Sequence, residues 1–412
     1  MTLPNFTKLL TTYAQMIVEI GAGIQRDDIV YVEADIAQAE LVHLLTSAAY
    51  RLGAAEVIVN WNDDFLTHEF LLHASEKHLG TFKEAKRQET AYLLEHQAKR
   101  INVVSSIPGA LDGVKHERLA LFQSTNATGL RPLRHASQNN DISWTVVAAA
   151  NPAWAQKIFP QMTKEAANDE LWHQIFQATR IYSEDPVRAW RQHVRRLDQR
   201  AQQLNDYQFD RLVYRAPGTA LTVGLPQQHI WESAGATNRQ GQPFIPNMPT
   251  EEVFTAPDKN RIDGHVTATK PLSYGGQIIT GIRFDFRRGK ISQIQAESGQ
   301  QTLEHLLETD EGARSLGEVS LVPYSSPISQ SNIIFYNTLF DENAANHLAL
   351  GAAYPSSVAG GTKMNPLALQ RHGLNVSTVH VDFMVGGSEM DVDGITKSGA
   401  IIPVFRHGEW AF

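Results

Sequence analysis

Along the first half of the chain the hydrophobic positions switch repeatedly between helical and strand spacing. Residues 5–20 place Leu9, Leu10, Tyr13, Ile17 and Ile20 on one helical face and stop at Gly21 and Gly23, which predicts a helix with a glycine end. DDIVYVEAD (27–35) is a short apolar strand, AQAELVHLLTSAAYRLG (37–53) a helix closed by Gly53, and AAEVIVNW (54–61) the next strand. INVVSS (101–106) and SWTVVAAA (143–150) predict two more strands, and helical patterns fill the gaps and continue through 152–204. This alternation predicts an α/β domain with a mostly parallel sheet and helices on both faces.

The texture changes near Asp206. Glycine and proline become frequent, and TALTVGL, GHVTATK, GQIITGIRFDFRRGKISQIQAE and GAIIPVFRHGEW read as strands or hairpins. ENAANHLALGAA (342–353) has a helical pattern, as does the region near 302–309. The expectation is an N-terminal α/β domain over 1–205 and a β-rich α+β domain over 206–412 that carries the chemistry.

Composition narrows the chemistry. The chain has no cysteine, so disulfides, thiolate zinc sites, iron–sulfur clusters and thiol catalysis are excluded. The formal net charge is −8 and no long basic stretch occurs, which argues against nucleic-acid and anionic-membrane partners. The N-terminus lacks the apolar core and cleavage site of a signal peptide, and no apolar run reaches the ~20 residues of a membrane span. A cytoplasmic location is expected.

Several motifs mislead. GAG at 21–23 lacks the third glycine of a dinucleotide fingerprint and precedes a strand, so it reads as a helix end. HEFLLH (68–73) is one residue longer than the zincin motif, which turns His68 and His73 about 140° apart on a helix. MDVDG (390–394) lacks the later ligands of a calcium loop and reads as an Asp-Gly turn. No G-x-S-x-G elbow or P-loop is present.

The residues with chemistry lie in four segments. NMPTEEVFTAP holds Glu251 and Glu252, SLGEVSLVP holds Glu318, TLFDENAANHLALGAAYP holds Asp341, Glu342, His347 and Tyr354, and HVDFM holds His380 and Asp382. In a strand His380 and Asp382 share one face, while Val379, Val381 and Phe383 take the other. Singly, each has an ordinary alternative: an edge acid, a first-turn glutamate, a core histidine. Together they are costly to bury unless paired or metal-bound, and carboxylates with imidazoles suit Zn²⁺, Mn²⁺, Co²⁺ or Mg²⁺.

These segments closely resemble the M29 metallopeptidases, the group of aminopeptidases T, S and PepS. PTEEVFTAP, LGEVSLVP, LFDENAANHLALGAAYP, GLNVSTVHVDFMVG and the terminal FRHGEWAF carry the likeness. The resemblance implies a two-metal site bound by Glu252, Glu318, His347, His380 and Asp382, with Glu342 as a further ligand and Tyr354 at the metal centre. It also implies an aminopeptidase acting on short peptides with a free N-terminus, an elongated homodimer, and a site in an internal cavity. Asn346 departs from the cysteine of many members.

Glu318 or Asp382 is the expected bridging carboxylate, since each offers two oxygens. Glu251 is the expected general base by analogy with adjacent Glu-Glu pairs in unrelated two-metal aminopeptidases. Tyr354 is expected to ligate a metal or donate to the oxyanion. Without metal, the four crowded acids should raise one another's pKa. Two other readings stay open: another two-metal amidohydrolase, and a non-catalytic metal- or peptide-binding protein on the same scaffold.

Overall fold

The computed structural model describes residues 3–105, 109–274 and 277–412. Ser106 of the expected strand and Gly276 of the expected hairpin lie outside them. The chain forms two compact units: residues 1–191 with 235–248, and residues 192–234 with 249–412.

The first unit is built on a parallel sheet in the order Glu56–Asn62, Ile29–Asp35, Lys99–Val104, Trp144–Ala148 and Asn247–Met248. Helices separate its first four strands. Val30, Tyr31, Val32 and Ala34 of the strand Ile29–Asp35 are all buried, as expected where helices cover a parallel sheet. The first helix spans Phe6–Met16 and ends in a π turn over Ile17–Gly21. Gly23 has φ +62°, and a Cβ there would meet the carbonyl oxygen of Pro243 at 2.3 Å. The GAG segment is thus a helix end. In the helix Asp64–His73, His68 Nε2 contacts the Asp112 carbonyl at 2.9 Å, while exposed His73 stands 3.5 Å from Glu69.

The second unit combines two main antiparallel sheets with the two-stranded pair Leu272–Tyr274 and Gln277–Ile279. The larger runs Lys290–Gln295, Arg283–Arg287, Ile262–Thr267, Thr219–Gly224, Arg211–Ala216, Asp391–Ile395, Ile401–Arg406 and Glu409–Trp410. The smaller runs Val253–Thr255, Leu316–Leu321, His347–Gly351 and His380–Met384. Their apolar faces share one core, where Phe284 meets Phe383 edge to face with ring centroids 4.9 Å apart. The helix Gln300–Leu307 adds Leu303, Leu306 and Leu307.

Two expected local structures are wrong. Residues 342–353 do not form a helix: Glu342–Ala344 is a single 3-10 turn, Ala345 is extended, and His347–Gly351 is a strand. Alanine's helix preference is a weak prior, and here a position between two strands with every residue buried overrides it. MDVDG is not a turn either. Asp391–Ile395 is an interior strand of the larger sheet, and Asp393 is paired with Arg215 and Arg406. Gly394 lies under the Phe209 ring, where a Cβ would come within 2.4 Å.

Gly394→Ala should therefore destabilise the protein through overpacking, by about 1–3 kcal/mol. Urea denaturation checks this; an unchanged midpoint would mean the Phe209 ring can move aside.

Candidate metal centre

Strand alternation builds the site. In Leu316–Leu321, Val319 and Leu321 face the core, which turns Glu318 and Ser320 to the opposite face. In His347–Gly351, Leu348 and Leu350 face the core and His347 and Ala349 oppose them. In His380–Met384, Val381 and Phe383 face the core, so His380 and Asp382 share the other side as expected.

Register then aligns the rows. Glu318 pairs with Ala349, and Ala349 pairs with Asp382. A small side chain on the middle strand thus lies between two acids on the strands to either side. Ser320 pairs with His347 on one side and with Phe254 on the other. Glu252 precedes the strand Val253–Thr255 and accepts the Ser320 hydroxyl at 2.6 Å through Oε2.

Two groups of donor atoms result, each within 4.8 Å. One is Glu252, Glu318 and His347; the other is Glu318, His380 and Asp382. His347 Nε2 lies 3.2 Å from Glu252 Oε2 and 3.4 Å from Glu318 Oε1. His380 Nε2 lies 3.4 Å from Glu318 Oε2 and 3.3 Å from Asp382 Oδ1. Glu318 therefore divides its two oxygens between the two groups. Each imidazole directs Nδ1 to a backbone carbonyl, His347 to Ala345 at 3.3 Å and His380 to Ala352 at 2.8 Å. That leaves Nε2 facing the acids, the arrangement of a metal-binding histidine.

The donor set fits hard or borderline divalent cations. Glu252, Glu318, Glu342, His347 and Asp382 are all buried, and among the described residues no lysine or arginine forms an ion pair with these acids. Asp382 Oδ1 is buried and lacks a hydrogen-bond donor, its approach to His380 notwithstanding. A buried carboxylate oxygen that receives no hydrogen bond is costly, and a cation would relieve that cost.

The electrostatics correct one expectation. Mutual repulsion does not raise all the acids alike. Burial acts to raise Glu318, but the two imidazoles on its oxygens override it and hold the carboxyl down at about 2. Glu342 has no such partner. Burial first, then Asp382, Glu252 and Glu318, push it well above the usual carboxylate range. Burial lowers both histidines, but the acids outweigh it and raise them well above the ordinary imidazole value.

The other expected residues sit around this cluster. Glu342 is beside it, with the Asn343 side-chain amide 3.5 Å from its Oε1. Tyr354 packs its ring edge to face on His380, centroids 5.3 Å apart, and also contacts Phe254. Burial and the acids raise its hydroxyl well above the ordinary tyrosine value. Glu251 is buried with Oε2 3.5 Å from His193 Nε2, and its N–H donates to Asn343 Oδ1 at 2.7 Å. His193 also bonds the Thr250 carbonyl at 2.8 Å.

Sequence reasoning missed Ser320, Ala349, Asn343 and His193. Ser320 and Ala349 were accessible by alternation, once His347–Gly351 is recognised as a strand. His193 and Asn343 meet Glu251 across long sequence separations and left no local signal.

A family model described as thermophilic metalloprotease (M29) matches residues 6–410. The chain belongs to the M29 metallopeptidase family. It is 52% identical over 411 residues to aminopeptidase PepS of Streptococcus thermophilus, covering 100% of both chains. It is 39% identical to aminopeptidase T of Thermus thermophilus, covering 98% of this chain and 99% of that one. The structure of wild-type AmpT from Thermus thermophilus matches 99% of the chain with a TM-score of 0.93 at 38% identity.

Ala349→Val would crowd the gap between Glu318 and Asp382. It should cut metal retained after dialysis at least tenfold while leaving the far-ultraviolet circular dichroism unchanged. Wild-type metal content in this variant would show that the gap is not part of the cation site.

Proposed function

We propose that this chain releases N-terminal residues from short, unblocked peptides at a centre of two divalent cations. Glu252, Glu318 and His347 would hold one cation, and Glu318, His380 and Asp382 the other, with Glu342 as a further ligand. The observation that carries this reading is Glu318 facing both imidazoles, one oxygen to each. Metal-dependent aminopeptidase activity itself follows from membership of the family, whose similar members are aminopeptidases. Oxygen and imidazole donors suit zinc, cobalt, magnesium or manganese.

Bound there, two such cations supply Lewis-acid polarisation of the scissile carbonyl and a water that ionises near neutral pH. The protein's own groups do the rest. Glu251, its backbone fixed by Asn343 and its carboxylate beside His193, takes the proton of the attacking water and returns it to the leaving amine. Tyr354 keeps its proton because its hydroxyl is raised, and it donates to the developing oxyanion. The backbone carbonyls of Ala345 and Ala352 hold the imidazoles in the tautomer that presents Nε2.

We read the protein further as a homodimer engaged in peptide turnover, which rests on the family resemblance, and place it in the cytoplasm. No helix among the described residues is long and apolar enough to cross a membrane.

The direct test is release of the N-terminal amino acid by chelated protein, with and without added Zn²⁺, Co²⁺, Mn²⁺ or Mg²⁺. Metal should restore release from the free peptide and not from its N-acetylated form. His380→Ala should lose more than the roughly 10–100-fold that removal of an outer partner of a metal ligand costs. Release from the acetylated peptide would point to another amidohydrolase; no release by metal-loaded protein would favour a binding role. Tyr354→Phe should lower kcat by about 10²–10³ if its hydroxyl stabilises the oxyanion.

Stability gives an independent check. His347, His380 and Glu342 all have raised pKa values in the metal-free fold. The stability each contributes is full at low pH and is lost as pH rises through its folded value. Cations compete with those protons and so gain affinity as pH rises. The difference in Tm between metal-loaded and chelated protein should therefore widen from pH 6 to pH 8.5. At a thousandfold excess over Kd the stabilisation is about 4 kcal/mol. A difference that narrows with pH in thermal melts would contradict the assignment of these three groups.

A further inference from the structure

One half-buried carboxylate near this centre, Glu232, has no part in the reaction described above. Glu232 ends an irregular stretch, 228–232, that pairs on two sides. On one side Glu232 N–H donates to the Phe254 carbonyl at 2.9 Å, and Phe254 N–H donates back at 3.0 Å. Phe254 lies two residues beyond Glu252. Thr255 Oγ1 adds a bond to the Ile230 carbonyl at 2.8 Å.

On the other side the stretch grips the turn that follows Tyr354. Ile230 N–H donates to the Ser357 carbonyl at 2.8 Å, Ala359 N–H donates to the Gln228 carbonyl at 3.0 Å, and His229 pairs with Val358. Ser357 N–H in turn donates to the Tyr354 carbonyl at 3.1 Å. The stretch thus stitches the strand next to Glu252 to the segment that carries Tyr354.

The side chain of Glu232 completes the stitch. Its Oε1 accepts the hydroxyl of Ser357 at 3.3 Å, and Ser357 is buried. Burial raises the Glu232 carboxyl to about 7, against the lowering by the Ser356 and Ser357 hydroxyls, and the charge of Glu318 adds to the rise. A carboxyl in such a place is costly if it only fills space. Its carboxylate faces Ser356 and Ser357 in the 3-10 turn Pro355–Ser357 that directly follows Tyr354.

We propose that Glu232 is a positioning residue for Tyr354: by accepting the Ser357 hydroxyl it locks the Tyr354–Ser357 turn to the strand beside Glu252, and so holds the Tyr354 ring against His380. This rests on the reading of Tyr354 as the oxyanion donor. Glutamine at this position keeps an acceptor oxygen of the same reach; alanine removes it and leaves a buried hydroxyl unpaired.

The test uses the metal-loaded full chain and an unblocked peptide, with metal content measured for every variant. Glu232→Ala should lower kcat by about 10–100-fold, the order expected when a group near the chemistry shifts by roughly 1 Å, with KM and metal content nearly unchanged. Glu232→Gln should retain most of kcat, and Ser357→Ala should reproduce part of the alanine loss, which keeps the test open if Glu232→Ala folds poorly. In the Tyr354→Phe background, Glu232→Ala should cost little more, because groups acting as one unit are not additive. Hydrogen exchange at the Ser357 and Ala359 amides of chelated protein should accelerate in Glu232→Ala and not in Glu232→Gln. Fully additive losses in the double variant, a wild-type kcat in folded Glu232→Ala, or loss of metal from it would overturn the assignment of Glu232. Full activity in Tyr354→Phe would instead overturn the role of Tyr354, and the positioning proposal with it.

Discussion

The second unit is organised around the cost of keeping four carboxylates and the His347 imidazole out of water beside one face of a small sheet, with His380 half-buried next to them. An ionised carboxylate moved from water into a protein interior costs several kcal/mol unless it is compensated. Glu318 is compensated by His347 and His380, and Glu252 by Ser320 and His347. For Glu342, burial and the neighbouring acids instead raise its hold on a proton. Asp382 Oδ1 has no hydrogen-bond donor. The deficit is left where a cation fits, so the residues that make the metal-free fold expensive are the ones that make it receptive to metal.

Such a cluster needs a rigid frame, and the opposite face of the same strands provides it. Val319, Leu321, Leu348, Leu350, Val381 and Phe383 are buried in one core with the larger sheet. Every site residue on these strands is one position away from a core residue, so a slip of one residue would exchange the two sets. Apolar packing therefore sets where the charged atoms stand. Small residues matter as much as ligands. Ala349 leaves room between Glu318 and Asp382. Gly351 takes φ +99° beside His380, where a Cβ would meet the Val379 carbonyl at 2.1 Å.

Around the sheet, the parts with catalytic potential lie on irregular backbone tied down by polar contacts. Asn343 joins the Glu251 amide to the Glu342 turn, His193 reaches Thr250 and Glu251 from the helix Pro186–Tyr207, and the 228–232 stretch grips the turn after Tyr354. Loops of this kind are easier to displace than strands, and their buried hydrogen bonds are what would keep them in register with the metal ligands.

Much of this was legible in the sequence because it depends on local pattern. The βα alternation of the first unit follows from short apolar runs between amphipathic stretches, and HVDFM displays its two faces through simple alternation. Glu252, Glu318, His347, His380 and Asp382 stood out as acids and histidines among apolar residues, but the resemblance to the M29 family, not their spacing, named them as one set. Tertiary structure decided the rest. HLALG became a strand because two flanking strands required a partner, against the helix preference of its alanines. DVDGI became an interior strand because Arg215 and Arg406 neutralise Asp393 and the Phe209 ring covers Gly394. Glu318 rather than Asp382 came to face both imidazoles through strand register, and Glu318 and Glu342 diverged in proton affinity because one has an imidazole on each oxygen, while for the other burial, Asp382 and Glu252 outweigh the pull of His347. A pattern records what each residue prefers, but the pairing of strands and the sum of nearby charges are set by residues far apart in the chain.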